Sequence, residues 1–294
     1  MTATPPRFGL LGVPSSAAAH WPGQEKAPQA LRRAGLTERL PVRDYGDLPK
    51  IRMRPEPDRH PQNLGLTIEV ARAVAERTSH IVDDGLIPLV IGGDCTVELG
   101  VVSGALAAGT DPALVYVDGG VDLRTPETAP TGILDSMGAA HLLDLPGAAP
   151  ELAGLGPRRP LLAPDAIVFL GYEQTDNARE REMFDSLSCV KLPATEVRGR
   201  AVAAAAQACR DLDGFLVHFD VDVIDFVDLP LADVPQYHGG LSFQEAMEVL
   251  AVLAAAPGFA GLTVTECNPD HGNESGGDLT RFVDGLTYAL GAAA

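Results

Sequence analysis

Basic residues are scarce in this chain of 294: 22 Lys and Arg stand against 40 Asp and Glu, a formal net charge of −18. Binding to nucleic acid draws on a basic face that neutralises phosphates, so that class of partner is excluded. No apolar run approaches the roughly 18 residues that a bilayer span requires, which argues against a membrane protein. The start, MTATPPRFGLLGVP, has no basic opening followed by a long apolar stretch and a small-residue cleavage site, so no signal peptide is expected. Cysteine is sparse as well. Cys95, Cys189, Cys209 and Cys267 form no CxxC pair and no close framework, which points to reduced thiols and a cytoplasmic location. No Gly/Ser/Pro stretch is long enough for a linker and no internal repeat is visible, so residues 1–294 are expected to form one domain.

What is present is an alternation. A hydrophobic share of 46% is globular. Short, nearly continuous apolar runs at Phe8–Val13, Ile87–Ile91, Leu114–Asp118, Ile167–Gly171, Phe215–Asp220 and Leu262–Glu266 read as strands buried on both faces, with weaker candidates near Val42–Tyr45 and Val190–Leu192. Amphipathic segments lie between them, among them Ala27–Leu40, Leu64–Asp84, Val197–Leu212 and Phe243–Ala256. This pattern predicts an α/β fold, a parallel sheet with helices on both faces.

In such sheets ligands bind beyond the carboxyl ends of the strands. Four predicted strands end in polar clusters: Gly92-Gly93-Asp94-Cys95, Asp118-Gly119-Gly120-Val121-Asp122, His218-Phe219-Asp220-Val221-Asp222 and Thr265-Glu266-Cys267-Asn268-Pro269. Asp220 and Asp222, two apart on an extended chain, share a face. Four carboxylates on one rim repel unless a cation sits among them, and their oxygens suit hard divalent metals such as Mn²⁺ or Mg²⁺. A single Asp at a strand end is also an ordinary N-cap for the helix that follows; all four together are harder to explain that way.

At these motifs the sequence resembles the arginase/agmatinase superfamily of ureohydrolases. The resemblance covers nearly the whole chain, from RFGLLGVPSSAAAHWPGQEKAPQALRRAGL through DYGDLP, LVIGGDCTVELG and VYVDGGVDLRTPETAPTG to HFDVDVIDF, GGLSF and ECNP. It implies a three-layer α/β/α domain with a central, mostly parallel eight-stranded sheet, a two-manganese cluster, and hydrolysis of guanidino or amidine compounds by metal-activated water. Two departures stand out. The family's Gly-Gly-Asp-His reads Gly-Gly-Asp-Cys, with Cys95 in the ligand slot. Its Asp-x-His-x-Asp keeps Asp118 and Asp122 but has Gly120 for the histidine. The resemblance thus implies Cys95, Asp118, Asp122, Asp220 and Asp222 as metal ligands. A thiolate at Cys95 shifts preference from Mn²⁺ toward Zn²⁺ or Fe²⁺. The metal position that has Gly120 in place of the family's histidine is expected to be weak or empty. His218, in register with Asp220 and Asp222, is a further candidate ligand; the plainer reading is a buried histidine satisfied by a backbone carbonyl.

The resemblance also implies that Asp122 orients the attacking water and handles its proton, that Asp135 stands at the family's proton-transfer histidine, and that Glu266 binds the guanidinium, a group that pairs bidentately with a carboxylate. Head-group positions fall near Arg124, Thr131, Asp176 and Arg179. The two arginines suggest a substrate with more negative charge; alternatively Arg124 swings into the vacant metal position as an internal counter-ion. Cys95 as a covalent nucleophile is a third chemistry, and it requires a nearby base. Function therefore divides between a hydrolase releasing urea or a substituted urea and a degenerate arginase-fold protein that binds a ligand or partner without turnover. The resemblance implies a homo-oligomer, trimeric or hexameric.

Overall fold

The computed structural model describes residues 6–291. Eight strands form a single sheet: β1 (Phe8–Gly12), β2 (Val42–Asp47), β3 (Ile87–Ile91), β4 (Ala113–Val117), β5 (Ile167–Leu170), β6 (Val190–Leu192), β7 (Phe215–Asp220) and β8 (Phe259–Thr265). Their order across the sheet is β2-β1-β3-β8-β7-β4-β5-β6. Every pairing is parallel, so the expected mostly parallel sheet is parallel throughout.

Alternating side chains feed two apolar layers. Val115 and Val117 of β4 and Phe215, Val217 and Phe219 of β7 join a core with the helices Ala201–Ala208, Phe243–Ala255 and Gly277–Gly291. Leu114 and Tyr116 of β4 and Leu216 of β7 face the opposite core, built with the helices Leu64–Asp83 and Val97–Ala107. Burial on both faces is why these strands read as unbroken apolar runs, and the result is the three-layer α/β/α arrangement.

The topology places the site. The strands β3, β8, β7 and β4 are neighbours at the centre of the sheet, and each is followed by one of the four polar clusters. Their carboxyl ends therefore deliver all four motifs to one crevice, where the strand order reverses. Two helices predicted as continuous are broken by glycines in the left-handed region. Ala27–Leu40 divides at Gly35 (φ 98°), and Val197–Leu212 is interrupted at Gly199 (φ 68°).

One close approach holds the crevice together. The Gly93 carbonyl accepts the Glu266 N–H at 2.8 Å, tying the end of β3 to the end of β8. A Cβ on Gly93 would stand 1.6 Å from the Ser15 carbonyl oxygen, inside backbone that has no side chain to rotate away. Gly93→Ala is expected to destabilise the fold by about 3 kcal/mol, measured by denaturant unfolding.

Candidate metal centre and active site

A cavity of about 420 Å³ opens at the carboxyl end of the sheet, its floor lined by Cys95, Asp118, Asp122, Asp135, Asp220, Asp222 and Glu266. All seven were singled out in the sequence, and the fold brings them together. The loop after β3 is set by Asp94, whose carboxylate accepts the Ala18 N–H at 3.1 Å and both the N–H and the hydroxyl of Thr96. That loop presents Cys95, whose N–H donates to Asp135 Oδ1 at 3.0 Å and whose thiol donates to Asp220 Oδ2 at 2.7 Å.

The remaining carboxylates are held by local backbone. Asp118 takes the Gly120 N–H, Asp220 takes the Asp222 N–H at 2.8 Å, and Asp222 takes the Gly119 N–H at 2.9 Å. Asp122 accepts the Tyr116 hydroxyl at 2.7 Å. Asp122 and Glu266 both adopt positive φ, 47° and 59°; for non-glycine residues this stores about 1–3 kcal/mol each, strain that concentrates at functional sites.

This much buried acid is electrostatically uncomfortable. Burial, then the charges of Asp118 and Asp135, push the Asp122 carboxyl well above its usual range. Burial and Asp222 do the same to Asp220, and burial and Asp135 to Glu266. Asp222 is pushed up to about 8 by burial and by Asp118. Cys95 is raised well above an ordinary thiol by burial and by Asp220. Its neighbours are acids that oppose a thiolate, so with no cation beside it Cys95 is a protonated donor and the covalent-nucleophile reading is not supported. The orphaned atoms point the same way: Asp118 Oδ2 and both carboxylate oxygens of Glu266 are buried without a hydrogen-bond partner. A divalent cation fits this donor set on charge and on unsatisfied oxygens alike.

The donor atoms are not gathered as the sequence suggested. Among the described residues, Cys95, Asp118, His218 and Asp220 form a group of four whose donor atoms all lie within 4.8 Å of one another; Cys95, Asp135 and Glu266 form a second such group. Asp122 and Asp222, expected as ligands, belong to neither; Asp122 accepts from the Tyr116 hydroxyl and Asp222 from the Gly119 N–H. His218 is fully buried and bonded to no backbone carbonyl, contrary to the plainer expectation. It stands between two acids, Nδ1 3.6 Å from Glu98 Oε2 and Nε2 3.5 Å from Asp118 Oδ2, with its ring stacked on Tyr116 at 4.1 Å. Burial opposes charge on this imidazole, but Asp118 and Glu98 outweigh it and raise it to about 9.

The rim corrects two further expectations. Arg124 lines the cavity, but its Nε lies 3.4 Å from Glu180 Oε2, an oxygen that also accepts the Thr175 hydroxyl at 2.6 Å. Held outward in this way, Arg124 is no counter-ion for the metal position; the internal cation next to Asp118 is His218. Asp176 also lines the cavity, together with Glu173, Glu180 and His20, whereas Thr131 and Arg179 do not. Thr131 is exposed on a loop where its carbonyl accepts from Gln62, and Arg179 is exposed at the start of the helix Ala178–Ser186. The mouth therefore carries more acid than base, which removes the reason to expect a more anionic substrate.

Sequence reasoning missed Glu98, Tyr116 and His20. An acid in the first turn of a helix is ordinary, so Glu98 gave a weak signal, although it is the one charged residue of the apolar helix Val97–Ala107. His20, whose imidazole is pushed toward neutrality by burial and by Arg124, sits in a loop with no pattern to place it.

Known proteins resemble this one along nearly its full length. The arginase family model matches residues 6–284. Arginase-1 of Rattus norvegicus is 29% identical over 300 residues, spanning 97% of this chain and 91% of that protein. Arginase-1 of Oryctolagus cuniculus is 30% identical over 301 residues, with the same 97% and 91% coverage. The crystal structure of arginase from Bacillus subtilis superposes with a TM-score of 0.84 at 24% identity, over 97% of this chain and 98% of that one. A parallel sheet of this order, acidic motifs at the ends of its four central strands, and a family model that runs through all of them lead to one assignment: the chain belongs to the arginase family.

Proposed function

We propose that this protein is a metal-dependent hydrolase of a guanidino or amidino compound, releasing urea or a substituted urea and an amine. The observation that carries the reading is Glu266: a carboxylate 2% exposed, both oxygens without a partner, facing a cavity it shares with the cluster of Asp residues. A buried carboxylate left unpaired awaits a planar cation with two N–H groups, which a guanidinium supplies. The family depends on a divalent metal, which when bound supplies Lewis acidity and a nucleophile at neutral pH.

The chain's own residues do the rest. Glu266 clamps the guanidinium and sets its carbon over the carboxylate cluster. Asp122, oriented by the Tyr116 hydroxyl, holds the attacking water and takes its proton. Burial and the neighbouring acids raise the Asp122 carboxyl, which makes it a stronger base than an exposed carboxylate. The proton then passes to the departing nitrogen as the C–N bond breaks. Asp135 positions the Cys95 backbone through its N–H. The acidic mouth, with Asp176 and Glu173, favours a substrate whose tail is cationic or neutral. Manganese follows from the family and zinc or iron from Cys95. A homo-oligomeric, cytoplasmic enzyme whose single domain covers residues 1–294 completes the reading; the first five and last three residues of that span lie outside the described part.

The test is urea release from a panel of guanidino compounds after loading with Mn²⁺, Zn²⁺ or Fe²⁺. Turnover of one member at more than a thousandfold above background is the expected result. Ligand binding with no urea from any member would leave only the binding-protein alternative. Gly120→His reports on the position the chain lacks. A Cβ there meets only Asp118 Oδ1 at 3.3 Å and Asp122 Oδ1 at 3.7 Å, so the first carbon of the new side chain is accommodated with a slight adjustment. The variant is expected to bind Mn²⁺ at least tenfold more tightly, measured by calorimetric titration.

A further inference from the structure

We propose that the site holds one borderline-soft divalent metal, of the zinc class, in a four-donor nest formed by Cys95 Sγ, Asp118 Oδ2, His218 Nε2 and Asp220 Oδ2, with Glu98 fixing the imidazole from behind. This deepens the functional reading above and rests on the same site.

Four observations converge. The four donor atoms already lie within 4.8 Å of one another. A tetrahedral zinc site places its donors about 3.3–3.8 Å apart, so the Cys95–Asp220 pair at 2.7 Å opens and the wider pairs close by small side-chain adjustments. Asp118 Oδ2 is buried and lacks a hydrogen-bond partner, and the Cys95 thiol already donates to Asp220 Oδ2 at 2.7 Å, so these two donors face the same point.

The support behind the imidazole is the third point. A ligating histidine characteristically turns its other ring N–H toward a carboxylate, which sets the tautomer and the ring plane. Here His218 Nδ1 faces Glu98 Oε2 at 3.6 Å; Glu98 is fully buried, and both its oxygens lack partners. Tyr116 stacked at 4.1 Å holds the ring flat. Within its apolar helix, Glu98 has the His218 imidazole as its charge partner.

Donor chemistry is the fourth. One thiolate, one imidazole and two carboxylates in a tetrahedral set select zinc, or ferrous iron, over manganese. A single ion is indicated because Asp122 and Asp222, which a second ion would need, lie outside both converging groups, and Gly120 offers no donor. The other converging group, Cys95 with Asp135 and Glu266, contains no nitrogen donor and would consume the carboxylate needed for substrate.

The experiment is metal titration of the purified chain, stripped with chelator and refilled with Zn²⁺ or Co²⁺. One ion per chain is expected. The Co²⁺ form should show a thiolate-to-cobalt charge-transfer band in the near ultraviolet, absent in Cys95→Ser. His218→Asn should weaken Zn²⁺ binding by at least a hundredfold, and Glu98→Gln by about 10–100-fold. Two Mn²⁺ per chain with no charge-transfer band, or a folded His218→Asn with wild-type zinc affinity, would overturn the proposal. If His218→Asn does not fold, the Cys95→Ser spectrum and the Glu98→Gln affinity decide alone. Spectrum and stoichiometry are independent of turnover. A chain that binds one zinc through Cys95 and releases no urea refutes the hydrolase and leaves this nest standing; a chain that turns over with two manganese ions does the reverse.

Discussion

Glu266→Gln is expected to lower kcat/KM for guanidino substrates by about a thousandfold while raising the melting temperature of the metal-free, substrate-free protein. Both effects have one origin. The Glu266 carboxylate is buried, and neither oxygen has a hydrogen-bond partner. Burial and the charges of Asp135 and Asp220 press against its ionised form. Ionising it is therefore a cost to the fold, offset only when a cation enters the cavity. A guanidinium meeting it edge-on makes two charge-assisted hydrogen bonds, each worth about 1.5–3 kcal/mol. Losing most of that binding gives the thousandfold figure, since about 1.4 kcal/mol corresponds to a factor of ten. The amide keeps the shape, removes the charge, and can donate to the neighbouring acids, which should raise the melting temperature by roughly 2–4 °C per kcal/mol recovered. Steady-state kinetics and differential scanning calorimetry check the two halves. A variant that keeps activity within tenfold would show that the guanidinium is held elsewhere.

The same physics decided what was legible in the sequence. Strands buried on both faces print themselves as continuous apolar runs, so β3 and β7 fall on the predicted residues, and the polar residues that end the central strands identify the crevice from the sequence alone. Helix continuity was overread where Gly35 and Gly199 take left-handed backbone, a break that glycine permits without announcing. Loops are the opposite case. In the segments that follow β4 and β5 nothing periodic fixes which side chain turns inward, and Thr131 and Arg179 proved to lie outside the cavity while His20, from a distant loop, lines it. Pairings remote in sequence were invisible for a related reason. Arg124 is neutralised by Glu180, and His218 is flanked by Glu98; neither partner can be read from spacing, because each is brought in by a different crossover of the sheet. The sequence motifs thus located the acids, and tertiary placement decided which of them face a common point.

Without metal, the protein is expected to lose stability steadily as pH rises from about 5 to about 9, and metal should reverse that slope. Asp222 titrates at about 8 in the fold, and Asp122, Asp220 and Glu266 are displaced in the same direction; in the unfolded chain such groups titrate near 4. Between those limits the native state holds more protons than the unfolded state, so unfolding releases protons and becomes easier as pH climbs. His218 acts with the same sign. Raised from 6.5 to about 9, its contribution is fully present below 6.5 and is lost as pH passes through 9. Carboxylates and imidazole therefore add rather than cancel, and in chelator the melting temperature at pH 5.5 should exceed that at pH 8.5 by about 10 °C. Metal inverts the dependence, because its ligands must be deprotonated to bind, so affinity and the stabilisation it brings both grow with pH. Asp222→Asn, which removes a titrating acid that Gly119 can satisfy in neutral form, should flatten part of the metal-free slope. Calorimetric scans across this range, with and without chelator, read both slopes. A metal-free protein whose melting temperature is level or rising across that range would mean that its buried acids are already ionised and paired. The cluster would then have no unmet demand for a cation.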